Sequence, residues 1–319
     1  MKIVRYGEES AIRWDAFLPQ TVQGVFLHSR NFLAYHKDRF EDLSLLIEDD
    51  KGRLRSLLPA ARSLSDHEQV ISHPGITYGG LLHHPSCKAD EILAMMAGIR
   101  DWYRELGFRS LSYKAVPVHV QSQLVQSDLY ALWREGGVLA RRDLWNALDL
   151  GQPRKVSEGH KWALKKARAA GLAVAKLDVD DYTLFHEMLT TGLMKHHGAK
   201  PVHSLEELLD LQQRFTQHIE LWGCRASDGE LLAASWLFKL SATCWHTQYI
   251  ISNDRGRDLF ATDLMLEELI GQAVQSNIRH FSFGCSTDQA GRHLNAGLFS
   301  FKAGFGDGAV THDFYELEL

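Results

Sequence analysis

From Thr243 to Lys302 the pattern of apolar and polar positions changes period repeatedly. Thr243–Ser252 alternates as a strand does. The polar, glycine-bearing stretch Asn253–Asp258 then reads as a bend. Leu259–Asn277 has the helical period, with Phe260, Leu264, Leu266, Leu269, Ile270 and Val274 as its apolar positions. A short strand over His280–Gly284 follows, then the loop Cys285–Gln289 and a helix carrying Asn295, Phe301 and Lys302. Strand, bend, helix and strand make a βαβ unit. Its bend aims unpaired N–H groups and the positive end of a helix dipole at a ligand, and phosphate or pyrophosphate suits that end best. The positions expected to cradle it are Gly256, Arg257, Asp258, Leu259, Phe260, Ala261 and Thr262. The competing reading is that Gly256 only makes a turn. Neither a Gly-rich dinucleotide fingerprint nor a Walker lysine pattern is present.

Towards the N-terminus the pattern predicts a strand at Lys2–Tyr6 and a helix at Ala11–Phe17, with a second helix starting in Phe26–Tyr35. Leu43–Asp49 and Leu54–Ala60 flank Asp49–Gly52 as a hairpin. Val70–Gly80 holds Pro74 and three glycines, so backbone comes close to something there, or the strand is bulged and ends in a Gly-Gly turn. An amphipathic helix at Glu91–Leu106 ends at Gly107, Ser110–Val116 is a strand, and Tyr130–Leu150 reads as two strands broken at Gly136-Gly137.

The second half repeats this order. A helix at Val156–Ala170 closes on Gly171, and Leu172–Leu177 is a strand. Helices near Tyr182–His196 and Ser204–His218 precede a hairpin, Glu220–Arg225 with Leu231–Leu240. A strand pair over Val310–Glu318 closes the chain. The repeated order predicts two domains, 1–150 and 151–319, with a seam near Gly151–Pro153 and a ligand cleft between them. The fold class is α/β (α+β), each domain a mixed, mostly antiparallel sheet flanked by helices.

Composition narrows the function classes. The 319 residues suffice for two mid-sized domains. A net charge of −5 gives no global basic field to recruit nucleic acid. Four scattered cysteines lack metal-ligand spacing and read as reduced thiols. No run approaches a membrane span and no signal-peptide core opens the chain, so the expected compartment is the cytoplasm.

The candidate chemistry is cationic. His160–Arg168 packs five potentially cationic groups into nine residues, and Lys161, Lys165 and Arg168 share a helix face beside Trp162. That suits a ligand with two phosphates and a stacking base or sugar, although a solvated basic face would look the same. His246 and Gln248 share a strand face with Cys244 and Ile250. His197 ends a helix before the Gly198–Pro201 turn. Either imidazole is suited to receiving a proton from an attacking amine near neutrality, or is a structural residue. No His-Glu-x-x-His spacing occurs and no metal is expected. Cys285 has no His–Asp constellation or nucleophile elbow near it, which favours direct attack by an acceptor over a covalent intermediate.

The strand–bend–helix of residues 243–277 resembles that of the GNAT acyltransferases, whose bend holds the pyrophosphate of coenzyme A. The ending Asn295…Phe301-Lys302-Ala-Gly-Phe-Gly306, followed by Thr311–Tyr315, resembles that of the Fem-type (FemAB-like) tandem GNAT proteins, and the similarity runs through nearly the whole chain. That branch includes peptidoglycan-bridge aminoacyltransferases and sugar N-acyltransferases. The resemblance implies an acyl-CoA site in the second domain that takes in Ser286 and Asn295. It also implies a substrate cleft lined by the Gly/Tyr stretch with His73 and Tyr78, a nucleotide-linked acceptor near Lys161, Trp162, Lys165, Arg168 and Gln248, and a wall at Phe301. Lys302 would neutralise phosphate or intermediate charge. The function implied is acyl transfer from acyl-CoA to a nucleotide-linked amino sugar, as in cell-surface polysaccharide biosynthesis. Two alternatives stand beside it. One is an aminoacyl-tRNA-dependent bridge enzyme, the only case in which nucleic acid becomes a partner. The other is a non-catalytic nucleotide-sugar-binding module.

Overall fold

A computed structural model describes residues 1–319, except for the side chains of His196 and His197, which lie outside it. Contacts divide the chain into two compact units. Unit 1 is Met1–Leu144, Thr287–His293 and Val310–Leu319, and unit 2 is Trp145–Ser286 with Leu294–Ala309. Val310–Leu319, on the far side of the sequence seam, therefore belongs with the first unit.

Unit 1 begins with β1 (Lys2–Arg5), α1 (Ala11–Phe17), α2 (Arg30–Leu33), β2 (Leu45–Glu48), β3 (Leu54–Leu58), β4 (Ala61–Arg62) and β5 (Gln69–Ile71). It continues with β6 (Leu82–His83), α3 (Ala89–Glu105), β7 (Ser110–Lys114), α4 (Ser127–Arg134) and β8 (Val138–Asp149), the last running on into unit 2. The segment Phe26–Tyr35 is a series of short turns around α2 rather than one helix. The first of the two strands expected in Tyr130–Leu150 is absent. Its place is taken by the end of α4, which buries Asp128, Ala131 and Leu132 and turns Tyr130 and Trp133 outwards, a helical spacing that the aromatic content disguised.

Unit 2 contains α5 (Glu158–Ala169), β9 (Ala173–Lys176), α6 (Asp181–His197), α7 (Leu205–Arg214), β10 (Ile219–Arg225), β11 (Leu231–Lys239) and β12 (Cys244–Ser252). Then come α8 (Asp254–Asp258), α9 (Ala261–Gln275), β13 (His280–Cys285), β14 (Thr287–Asp288), β15 (His293–Leu294) and α10 (Ala296–Ala303), with β14 and the first residue of β15 grouped in unit 1. β16 (Ala309–Glu318) is one continuous strand, not a pair, and from Val310 onward it lies in unit 1 against β7.

The unit 2 strands run β8-β13-β12-β11-β10-β9, all antiparallel except β12 with β13. Apolar residues almost all round α9 (Ala261, Leu264, Met265, Leu266, Leu269, Ile270, Ala273) explain its burial in the unit 2 core. Each large one stabilises by about 1.5–3 kcal/mol when fully buried. Unit 1 has its own core, in which α3 buries Ile92, Met95, Met96, Ile99 and Tyr103.

The units share one supersecondary pattern. In unit 2, β12 and β13 are parallel, joined through α9, and paired over three residues only: Cys244 with His280, Trp245 with Phe281 and His246 with Ser282. In unit 1, β5 and β7 are parallel, joined through α3, and also paired over three: Gln69 with Ser110, Val70 with Leu111 and Ile71 with Ser112. The duplication read from element order is thus a duplication of parallel forks.

Candidate active site

In unit 2 both prongs of the fork bulge just beyond the last parallel pair. Trp236 pairs with Tyr249 and Leu237 with Thr247, which leaves Gln248 as an extra residue in β12. Ser282 pairs with Ala147 and Gly284 with Asn146, which leaves Phe283 extra in β13. Bulges bend strands and end ladders, so the prongs diverge here. The bulge also resets the alternation of β12. Trp245 and Ile250 pack into the same core, so Ile250 does not share the face of His246 as simple alternation predicted.

A cavity of about 350 Å³ lies at this fork, lined by Ile250, Ile251, Ser252, Gly256, Arg257, Phe260, Thr262, Asp263, Leu298, Phe301 and Lys302. Gly256, Arg257, Phe260, Thr262, Phe301 and Lys302 were all sequence candidates, and the fold brings them to one wall set. Lys302 is 4% exposed. Its Nζ donates to the carbonyls of Gly284 (3.2 Å) and Cys285 (2.5 Å), and Gly284 needs its φ of +74° to present its group so. Among the described residues no carboxylate pairs with it, and burial lowers its pKa to about 8. An ammonium has three donors. Two are spent on carbonyls, which leaves one to spare.

The first part of the bend is closed by the chain itself. Residues 254–258 form the helical turn α8, capped by Asn253, whose Oδ1 accepts from Gly256 N (2.7 Å). Arg257 N donates to Asn253 O, Leu259 N to Arg255 O and Phe260 N to Arg257 O. Gly256 is glycine because a Cβ would overlap the carbonyl oxygen of Leu232. The Arg257 guanidinium is spent on Asp254 and Ser252 O, and that of Arg255 on Asp228 and Glu230. Asp254 and Asp263 occupy the first turns of α8 and α9, but Phe260 gives α9 no side-chain cap, and the N–H groups of Ala261, Thr262 and Asp263 have no hydrogen-bond partner among the described residues. Asp258 is exposed and Leu259 half-buried. The turn α8 thus keeps its donors to itself, whereas the start of α9 presents its first N–H groups where Thr262 and Asp263 line the cavity.

The remaining candidates fall into place by packing. Asn295 caps α10, its Oδ1 accepting from Leu298 N (3.0 Å), and its own N–H reaches Ser286 O (3.0 Å). Ser286 is buried and donates to Asn146 Oδ1 (2.7 Å). Both shape the loop that holds Lys302, and neither lines the cavity. His246 is buried, stacks on Trp145 with ring centroids 5.4 Å apart and approaches Ser282 Oγ through Nδ1 (3.1 Å). Burial, with the Lys302 charge adding, lowers its pKa to about 3. An imidazole so weakly basic has the properties of a packing group rather than of a proton acceptor. Gln248 hydrogen-bonds His246 and supports it. The side chain of His197 lies outside the described residues.

On α5, Lys161, Trp162, Lys165 and Arg168 are exposed, as is Lys166. His160 is not part of the cationic surface. It is buried against Asp263 Oδ1 (2.9 Å) and Glu267 Oε2 (3.4 Å), and those carboxylates raise its pKa despite burial. The buried face of α5, with Ala163, Leu164 and Ala167, is thereby fixed to α9.

In unit 1 the equivalent fork is filled by its own chain. Lys114 N donates to Ser72 Oγ (2.7 Å), Gly79 N to Lys114 O (3.0 Å) and Leu81 N to the Tyr113 hydroxyl (2.7 Å). Lys114 Nζ donates to His73 O (2.9 Å) and to Ile76 O, and its burial lowers its pKa to about 7. Pattern reading missed Lys114, a buried cation inside a strand, because nothing local distinguishes it from a surface lysine. Tyr78, expected to line a substrate cleft, is only 1% exposed: glycines 79 and 80 let its segment close onto Ser72 and Tyr113. His73 is buried too, with φ +58°, and lines a separate polar cavity of about 510 Å³ with Arg30, His36, Lys37, Phe40 and Asp42.

No family model matches the sequence, and no curated protein is similar to it. The structure of FemX, however, superposes over 100% of this chain and 98% of its own, with a TM-score of 0.70 at 11% identity. The fold is that of the Fem-type tandem GNAT proteins. L-PGS from Bacillus licheniformis is similar over 98% of this chain and 92% of its own (TM-score 0.64, 11% identity). A tandem GNAT protein from the clavulanic acid biosynthesis pathway, whose structure is described as without AcCoA, covers 99% and 98% (0.55, 11%). At such identities the Fem-type likeness is one of architecture, and chemistry has to be argued from the fork itself.

Proposed function

We propose that this Fem-type protein is an N-acyltransferase whose donor site is the unit 2 fork. The observation that carries the reading is Lys302, a buried ammonium that lines the fork cavity and has no carboxylate partner among the described residues. The donor's acyl carbonyl lies in that cavity. The neutral acceptor amine attacks the carbonyl carbon, a C–N bond forms, and the carbonyl oxygen takes the negative charge. The spare N–H of Lys302 stabilises that oxyanion. Collapse breaks the C–S bond of a thioester, the thiolate leaves, and the amine's extra proton passes to solvent. Removing one such donor typically lowers the rate by about 10²–10³-fold. The filled fork of unit 1 supports a single donor site, in unit 2.

The donor proposed is acyl-CoA, and the acceptor is the amine of a nucleotide-linked amino sugar, following the resemblance to the sugar-acylating branch. A second reading is an aminoacyl ester carried on tRNA, the alternative that the Fem-type resemblance leaves open. Wild-type protein incubated with acetyl-CoA and a panel of amino-sugar nucleotides tests the first reading. Free-thiol release with a product heavier by one acetyl group supports it. Thiol release from no thioester, S-acetylpantetheine included, contradicts it.

A further inference from the structure

Among the described residues the wall of the fork cavity contains one carboxylate, Asp263, in the first turn of α9 with its side chain 15% exposed. An anionic part of a donor that enters the cavity meets that charge. The two cations of the wall are engaged elsewhere, Arg257 with Asp254 and Lys302 with two carbonyls. The partner of Asp263 is His160, which reaches over from α5. Its Nδ1 lies 2.9 Å from Asp263 Oδ1, and its Nε2 lies 3.4 Å from Glu267 Oε2, one turn further along α9. A neutral imidazole donates from one nitrogen only and would turn a lone pair on the other carboxylate. The imidazolium satisfies both contacts, and it also relieves two like charges at i and i+4. Arg154, from the chain before α5, pairs with Glu267 (2.7 Å), and among the described residues no other cation pairs with Asp263. The Phe305 ring covers the imidazole at 4.0 Å, and the charged groups of α5 itself, Glu158, Lys161, Lys165, Lys166 and Arg168, are exposed. Burial lowers the His160 pKa, but the hydrogen bonds to Asp263 and Glu267 outweigh it and the net shift is upward.

From this we infer that His160 is a positioning residue of the donor site: its imidazolium neutralises Asp263 and so sets how tightly the cavity holds an anionic donor. This rests on the thioester reading and deepens it. With His160 protonated, the His160–Asp263 pair brings no net charge to the cavity wall. With His160 neutral, a bare carboxylate faces the donor's phosphates. Affinity for an anionic donor should therefore fall as pH rises through the His160 pKa. The test is a calorimetric titration of coenzyme A into wild type, His160→Gln and His160→Gln/Asp263→Asn at pH 6 and pH 9. Glutamine can donate to Asp263 as a neutral imidazole does, but it never carries the charge. At pH 6 His160→Gln is expected to bind about tenfold more weakly than wild type, the order expected of one charge a few ångströms away in a partly screened site. At pH 9 the two should converge, Lys302 having lost its proton in all three proteins alike. Removing Asp263 as well should restore wild-type affinity at pH 6. The KM for S-acetylpantetheine, which has no phosphates, should be the same in wild type and His160→Gln. A merely structural His160 would give the same loss at both pH values and no recovery in the double variant, and either result overturns the inference. Should His160→Gln not fold, Asp263→Asn carries the test: between pH 7 and 9 its affinity should fall less than that of wild type, and an equal fall overturns the inference. If coenzyme A binds no protein at either pH, the thioester reading falls as well. If it binds all of them with one pH profile, only this inference falls and the acyltransfer reading stands.

Discussion

Lys302 Nζ lies 2.5 Å from the carbonyl oxygen of Cys285, at the end of the very strand whose departure from β12 opens the cavity. The loop that ends the sheet thus positions the cation. Its burial disfavours the ammonium, so the unfolded chain holds this proton more tightly than the folded one. Between the folded pKa of about 8 and the usual lysine value, wild type should therefore gain stability relative to Lys302→Met as pH rises. Denaturant titrations of both proteins at pH 7.5 and 9.5 check this. A gap between them that does not move towards wild type contradicts the buried-ammonium description.

The same group sets the alkaline side of activity. If the charged form stabilises the oxyanion, the rate at saturating acceptor should fall as pH passes through about 8. In Lys302→Arg, whose cation does not titrate in this range, that fall should disappear even if the residual rate is low.

His246 provides the opposite expectation. With its pKa lowered to about 3, it stays neutral across the physiological range. The pH–rate profile should show no His246-dependent inflection between pH 5 and 7, and His246→Gln should keep activity within about tenfold, a loss due to packing. An inflection near 6.5 that vanishes in His246→Gln would restore it as a base.

Gly256→Ala should destabilise the protein, by about 1–3 kcal/mol or more, because its Cβ meets backbone at Leu232 rather than a yielding side chain. Affinity for coenzyme A, measured on the folded fraction, should be unchanged. A selective loss of affinity with wild-type stability would show that Gly256 contacts the donor instead.

Much of this architecture could be read in the sequence because its signals are local. Gly107 and Gly171 end helices with φ of +84° and +68°, and the period of Leu259–Asn277 falls on a helix buried nearly all round. The gathering of Phe260, Phe301 and Lys302 could be anticipated from the strand–helix–strand order. The bulges at Gln248 and Phe283 could not, since each is a matter of register with a distant strand. The closure of the turn α8 was hidden for a related reason. Asn253 looks equally like a turn residue and a helix cap, and only the packing of Gly256 on Leu232 decides between them. Lys114 and Tyr78 became interpretable only once the unit 1 fork was seen to be filled.

The central claim is acyl transfer from a thioester at the unit 2 fork, and ribonuclease-treated protein in the thiol-release assay tests it most directly. A small donor's binding depends gently on salt, whereas a tRNA donor engaging many phosphates would lose affinity steeply. The account predicts acetyl-CoA-dependent thiol release and acylated product that survive ribonuclease and moderate salt, and that drop about a hundredfold or more in Lys302→Met. Turnover only with charged tRNA and abolished by ribonuclease, or full activity in Lys302→Met, would contradict it.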